Sequence, residues 1–249
     1  FLITELNSNQ SIKINKNVEI QIIKFGFYDS CLIVKIPNLK ILNLNDCPMR
    51  DLNEIESFKN KNGTFDVLLT QFSYAAWKGG IKNKNFREES ALEKLKSIEN
   101  QANILKCKSV IPFASFIYFS NELNFYMNDS INTPKTVINF FRQKIFSTII
   151  LSPGEIQNLN GLKQNQNSIN FWNEQYDNIA FKKKDKYSQT ISLDSLKIQF
   201  EKYKRNIFKK NSKFLILILS KIKIMNIFQS IKIKLLDHGK TYRYSIFKG

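Results

Sequence analysis

The stretch Phe65-Asp66-Val67-Leu68-Leu69-Thr70-Gln71-Phe72, continuing as Ser73-Tyr74-Ala75-Ala76-Trp77-Lys78-Gly79-Gly80, decides the fold. It reads as a buried strand, entered from an Asn62-Gly63 turn and ending in a loop of small residues, where α/β folds place ligands. From Glu88 to Leu105, the residues Leu92, Leu95, Ile98, Ala102 and Leu105 recur at helical spacing between charged residues, which predicts an amphipathic helix packed on a sheet. Lys108-Ser109-Val110-Ile111-Pro112 is then a short strand. Strand, helix and strand in that order predict an α/β fold with a right-handed crossover. Thr133-Pro134 supplies an N-cap and a Pro at the first helical position, for a helix burying Val137, Phe140 and Phe141. Phe146-Ser147-Thr148-Ile149-Ile150-Leu151 is the last strand expected in the main sheet.

Upstream of this unit, Val18 to Ile23, Cys31 to Ile36 and Lys40 to Leu44 read as three strands, the last two joined at Pro37-Asn38. Downstream, the Asn/Gln-rich segment from Gln157 to Asn178 and the charged run Phe181 to Lys186 read as loop or linker. A helix capped by Ser192 or Asp194 is expected to run to about Lys210, with Leu196, Phe200, Tyr203 and Ile207 on one face. A second apolar helix spans Phe214 to Ile222. A closing hairpin pairs Ile231 to Leu235 with Tyr242 to Ile246 around Asp237-His238-Gly239.

Composition narrows the function classes. The 249 residues are 43% hydrophobic and 13% aromatic, enough to bury a core and too much for a disordered chain. No run approaches the roughly 20 apolar residues of a bilayer span, since Phe214 to Leu219 is closed by Ser220 and Lys221. Cys31, Cys47 and Cys107 form no C-x-x-C and no disulfide framework, which points to a reducing compartment and a cytoplasmic location. The single histidine, His238, argues against a self-contained zinc hydrolase or a Ser-His-Asp triad. The net charge of +17 falls largely on Lys mixed with Asn and Ile, as an AT-rich genome writes at tolerant surface positions. The chain begins at Phe1 with neither a basic n-region nor an apolar h-region, and an upstream part is expected.

Two local patterns read as ordinary structure. Gly239-Lys240-Thr241 ends like a phosphate-binding loop but lacks the required earlier glycine, position 234 being Lys. His238 beside it reads as a turn residue. The basic face of the 194 to 210 helix (Lys197, Lys202, Lys204, Arg205, Lys209, Lys210) is either a solvated face or a set of phosphate contacts. Asp46, at the end of a hairpin strand, either caps the next turn or binds a cation.

Taken together, Asp29-Ser30-Cys31, Leu42-Asn43-Leu44-Asn45-Asp46-Cys47, Asp66 through Trp77, Ile111 through Phe116 and Asn124-Phe125-Tyr126-Met127-Asn128 resemble the C-terminal half of metallo-β-lactamase-fold hydrolases. The branch is the one related to lactonase-like and CMP-sialic-acid-hydroxylase-like proteins, and the resemblance covers residues 18 to 155. It implies an α/β fold, half of an αββα sandwich, over residues 1–155, while the residue pattern, not the resemblance, gives a linker over 156–190 and an α+β extension over 191–249. By the resemblance, Asp46 matches an Asp that bridges two metal ions, and the principal His-x-His-x-Asp-His motif would lie upstream of Phe1. A late histidine ligand falls at Asn121, a poor zinc ligand beside His, which leaves Glu122 or another group as donor, or a site partly lost. Gln71, Ser73, Tyr74, Trp77, Ser115, Asn124 and Tyr126 would line loops at the same sheet edge, the aromatic rings stacking on a base or sugar and the amides bonding hydroxyls, or would simply pack the rim.

The activity so implied is metal-dependent hydrolysis of a small polar, sugar- or nucleotide-containing molecule. Zinc, iron or manganese would activate water, and this chain alone is expected to be inactive and metal-free. The competing expectation is a non-enzymatic binding module whose basic surface meets an acidic partner or nucleic acid.

Overall fold

The computed structural model describes residues 5–186, 190–221, 230–235 and 237–244. Ile222 of the expected second helix and Ser245-Ile246 of the expected hairpin lie outside the described residues. The chain divides into two compact units, residues 1–185 and 186–249.

The first unit is mixed α/β, as expected. Its seven strands, β1 (Ser11–Asn15), β2 (Val18–Phe25), β3 (Asp29–Ile36), β4 (Leu39–Asn45), β5 (Val67–Gln71), β6 (Ser109–Phe113) and β7 (Ser147–Thr148), lie side by side in chain order. β1 to β4 form an antiparallel meander, and β4 to β7 are parallel. Parallel neighbours require crossovers. These are helices α1 (Leu52–Asn62), α2 (Lys84–Leu105) and α3 (Pro134–Phe141).

Each helix has an identifiable start. The Asp51 carboxylate accepts from the Glu54 amide to cap α1, and Thr133 caps α3 through the Thr136 amide with Pro134 following. Ile55 and Phe58 of α1, Leu95, Ile98, Ala102 and Leu105 of α2, and Val137 and Phe141 of α3 share one core with Ile33, Leu42, Leu44, Leu68 and Val110 of the sheet. Val67, Ile111 and Ile149 form a second cluster with Leu39, Ile41 and Leu162.

Several expectations need correction. β1 and α1 were not anticipated, because β1 is polar and largely exposed and α1 buries two apolar side chains only. Leu92 of α2 is 41% exposed, while Arg87, Ser90 and Gln101 are buried on that helix. The expected strand over 146–151 makes a ladder at two residues only. The segment read as a linker contains helix α4 (Gln166–Asp177). Trp172 of α4 stacks on Phe116 at 3.9 Å between ring centroids and donates its indole N–H to the Leu151 carbonyl at 2.8 Å. Trp172 and Ile169 pack on the main core and Tyr176 on a second cluster, the burial that the surrounding Asn and Gln do not supply.

The second unit holds α5 (Leu193–Lys210), α6 (Lys213–Lys221) and the antiparallel pair β8 (Ile231–Leu235) and β9 (Lys240–Tyr244). Ser192 caps α5 through the Ser195 amide. The Phe200 and Tyr244 rings pack in a T shape with 4.6 Å between centroids. Tyr203, expected inward, is 56% exposed. His238 sits in the hairpin turn, its Nε2 2.7 Å from the Ile191 carbonyl oxygen.

Candidate binding site at the strand ends

β4 and β5 are parallel neighbours, so their carboxyl ends open on one edge of the sheet. At the end of β4 the ladder slips between Asn43 and Asn45, and Asn45 adopts a left-handed φ of 46° with its amide bonded to the Asn43 side chain. Asn tolerates that conformation better than most residues. The kink turns the chain out of the sheet and leaves Asp46 exposed.

Gln71 is the last residue of β5. Its Nε2 donates to Asp46 Oδ1 at 3.1 Å, and its Oε1 accepts from Lys94 Nζ of α2. The result is a run of carboxylate, amide and amine across the two strand ends. Lys94 is half-buried, and burial followed by the charges of Arg50 and Lys78 brings its amine down to about 8, against the opposing pull of Glu93 and Asp46. Arg50 is itself held by Glu93 at 2.9 Å.

The loop after β5 is pinned from below. Arg87 of α2 has a fully buried side chain that grips Asp129 with Nε at 2.8 Å and Nη2 at 2.6 Å. Its Nη1 donates to the Gly80 carbonyl at 2.8 Å, and its guanidinium lies 5.0 Å from the centre of the Tyr126 ring. Tyr126 donates to the Gly79 carbonyl at 2.8 Å. Gly79 has φ 79°, and a Cβ there would meet Asn83 Cβ at 2.6 Å, so the turn requires glycine. Trp77, 69% exposed, and Lys78, whose ammonium faces the Phe86 ring at 5.7 Å, ride on this fixed loop.

The residues singled out from sequence therefore separate. Asp46 and Gln71 stand at the strand-end edge, and Trp77 is exposed on the loop that follows β5. Ser73, Tyr74 and Ser115 are buried and serve the frame: Ser73 Oγ accepts from the Asn132 amide, Ser115 Oγ donates to the Ser73 carbonyl, and Tyr74 donates to the Met127 carbonyl at 2.7 Å. Burial, with the Asp129 charge, pushes the Tyr74 phenol up to about 12. Tyr126 acts on Gly79 and Arg87 as above, and the Asn124 Oδ1 is buried without a partner. Asn121 and Glu122 belong to a separate strand-like contact, in which Asn121 bridges to Asp185 and the Glu122 amide donates to the Asp185 carbonyl.

A divalent cation does not fit this donor set. Among the described residues no three His, Cys, Asp or Glu side chains gather in one place. Asp46 meets an amide N–H, and the next group in the run is an amine. Lys94, Arg50 and Lys78 were not found from sequence. Lys94 reads there as an ordinary polar position of an amphipathic helix, and only the crossover of α2 brings it to Gln71.

No known family model and no curated protein matches the sequence. Among solved structures, a point mutant of CmlA β-hydroxylase is similar at 9% identity and a TM-score of 0.41, over 60% of this chain and 32% of that one. CmlA, a diiron β-hydroxylase from Streptomyces venezuelae, is similar at 8% identity and a TM-score of 0.39, over 59% of this chain and 33% of CmlA. A protein of unknown function from Enterococcus faecalis V583 is similar at 12% identity and a TM-score of 0.26, over 77% of this chain and 45% of that one. The matched region spans about a third of the length of the CmlA chains.

Proposed function

We propose that the first unit is a metallo-β-lactamase-like module that binds a small polar molecule, sugar- or nucleotide-containing and bearing an anionic group, without hydrolysing it through metal-bound water. The observation that carries this reading is the Asp46–Gln71–Lys94 run at the carboxyl ends of β4 and β5. An ammonium with an amine value near 8 is mostly charged at neutral pH and, with one N–H on Gln71, keeps two donors for a carboxylate or phosphate. Arg50 and Lys78 add to the positive field around it, which an anion would neutralise. The exposed Asp46 carboxylate, with Oδ1 on Gln71, has its other oxygen to accept from a sugar hydroxyl, and the exposed Trp77 ring presents a flat face to a sugar or base. The hydrolase implied by the family resemblance needs ligands that these residues do not supply.

Isothermal titration of the full chain against sugar acids, sugar phosphates and nucleotides tests the reading. A ligand from these classes is expected to bind at least about tenfold more weakly to Lys94→Met, and its affinity is expected to fall as pH rises through about 8. Binding indifferent to Lys94→Met and to pH, or restored catalysis of hydrolysis on adding zinc, iron or manganese, would overturn it.

A further inference from the structure

The second unit carries a chemistry that the strand-end site does not use. Residues 186–249 contain 15 Lys and Arg against three Asp and Glu, a net +12 of the chain's +17. Spread along α5, Ile198, Lys202, Arg205 and Lys209 follow one another at three- and four-residue intervals, and all four are exposed. Among the described residues the unit's own pair of opposite charges is Lys204 with Glu201 at 4.0 Å, and His238 Nε2 lies 3.7 Å from the Asp237 carboxylate. Lys202, Arg205, Lys209 and Lys210 are exposed and have no ion pair among the described residues, and the exposed Lys213 ammonium lies 5.7 Å from the centre of the Phe208 ring.

The helix that follows is apolar on more than one side. In Lys213-Phe214-Leu215-Ile216-Leu217-Ile218-Leu219, Ile216 is buried, whereas Phe214, Leu215 and Ile218 are 74%, 56% and 42% exposed. Those three lie within about one turn of each other on the outward side. A helix apolar all round is ordinarily covered, by protein or by lipid. At nine residues α6 is about 13 Å long, far short of a bilayer, and no described helix is long and apolar enough to cross one.

We propose that the 186–249 unit docks on an anionic lipid bilayer. Phe214, Leu215 and Ile218 enter the boundary between headgroups and acyl chains, and Lys202, Arg205, Lys209, Lys210 and Lys213 meet the lipid phosphates. Charge complementarity selects an anionic surface, and the exposed aliphatic and phenyl groups select lipid over nucleic acid, which offers phosphates but no apolar layer to receive them. The long Lys side chains reach from an apolar helix face to the headgroups.

Co-sedimentation of the full chain with vesicles decides it. The chain is expected to pellet with phosphatidylcholine vesicles holding about 30% phosphatidylglycerol, not with phosphatidylcholine alone, and more weakly in high salt. Neutralising Lys209 or Lys213 to Gln is expected to weaken partitioning about fivefold each. Phe214→Asp/Leu215→Asp is expected to lose at least about tenfold. The charge-matched control Ile14→Asp/Phe27→Asp, at exposed positions of the first unit, is expected to bind as the parent does. Equal losses in both double variants would reduce the effect to net charge and overturn the proposal. So would failure to pellet with anionic vesicles, or retention by duplex DNA without retention by vesicles.

Discussion

Replacing Asp129 by Ala strands a buried cation, and the cost can be worked from the contacts around it. The Arg87 side chain is 0% exposed and the Asp129 side chain 32%. Removing the carboxylate takes away the bonds at 2.8 and 2.6 Å and the one carboxylate that pairs with the guanidinium among the described residues, leaving the carbonyls of Gly80 at 2.8 Å and Ile81 at 3.4 Å. Breaking such a pair from one side costs about 3–5 kcal/mol. Because Asp129 borders solvent and water can enter where it stood, the lower end, about 3 kcal/mol, is expected.

Arg87→Met fills much of the same space but leaves the Gly80 and Ile81 carbonyls without their donor, for an expected loss of about 2 kcal/mol. The double variant should cost less than the two singles together by at least about 1 kcal/mol. Urea denaturation of each protein, followed by far-UV circular dichroism at pH 7, measures all four corners. The Arg87 bond also holds the Asp129 carboxyl below the usual carboxylate range. This contribution is therefore complete above about pH 4 and is lost as the pH falls through the lower, folded value. An Asp129→Ala loss under about 1 kcal/mol, or strict additivity in the cycle, would refute the clamp.

Three further outcomes follow from the same kind of reasoning. Between pH about 8 and 10.5 the unfolded Lys94 keeps a proton that the folded one has released, so stability is expected to rise with pH in that window and Lys94→Met to flatten the rise, as urea midpoints across the window will show. Burial opposes the charge of Glu155, yet bonds from Ser168, Gln157 and the Ser152 amide hold its carboxyl at about 2; stability it provides is present above about pH 4.5 and lost towards pH 2, and Glu155→Gln should remove about 1 kcal/mol of that acid dependence in a thermal melt series. Trp172→Ala should cost about 3 kcal/mol, measured by urea denaturation, and a loss near zero would detach α4 from the first unit.

Strands β2 to β6 and the crossovers α2 and α3 were legible because their apolar patterns are strong. The run from Phe65 to Phe72, the helical spacing of Leu95, Ile98, Ala102 and Leu105, and the Thr133-Pro134 cap each correspond to structure found at that place. Where burial is supplied by few or by wide side chains the pattern failed. Ile55 and Phe58 carry α1, and Trp172 anchors α4 in a stretch that otherwise reads as polar linker. Arg87 was invisible for the opposite reason. A charged residue on a helix is assumed to be solvated, and only the Asp129 carboxylate and the loop carbonyls make its burial tolerable.

What the sequence by itself determined is the local periodicity, the caps, the buried strand within Phe65 to Phe72, and a charge balance that puts +12 into the last 64 residues. Those features depend on neighbours along the chain. What only the tertiary structure decided is which side chains meet across it: Lys94 reaching Gln71 and Gln71 reaching Asp46, Ser73 and Tyr74 turned into the frame, and Asn121 and Glu122 paired with Asp185 away from Asp46. A site is made by residues 23 and 25 positions apart brought within hydrogen-bond reach. That proximity comes from the register of parallel strands and the path of a crossover helix, which no local pattern encodes.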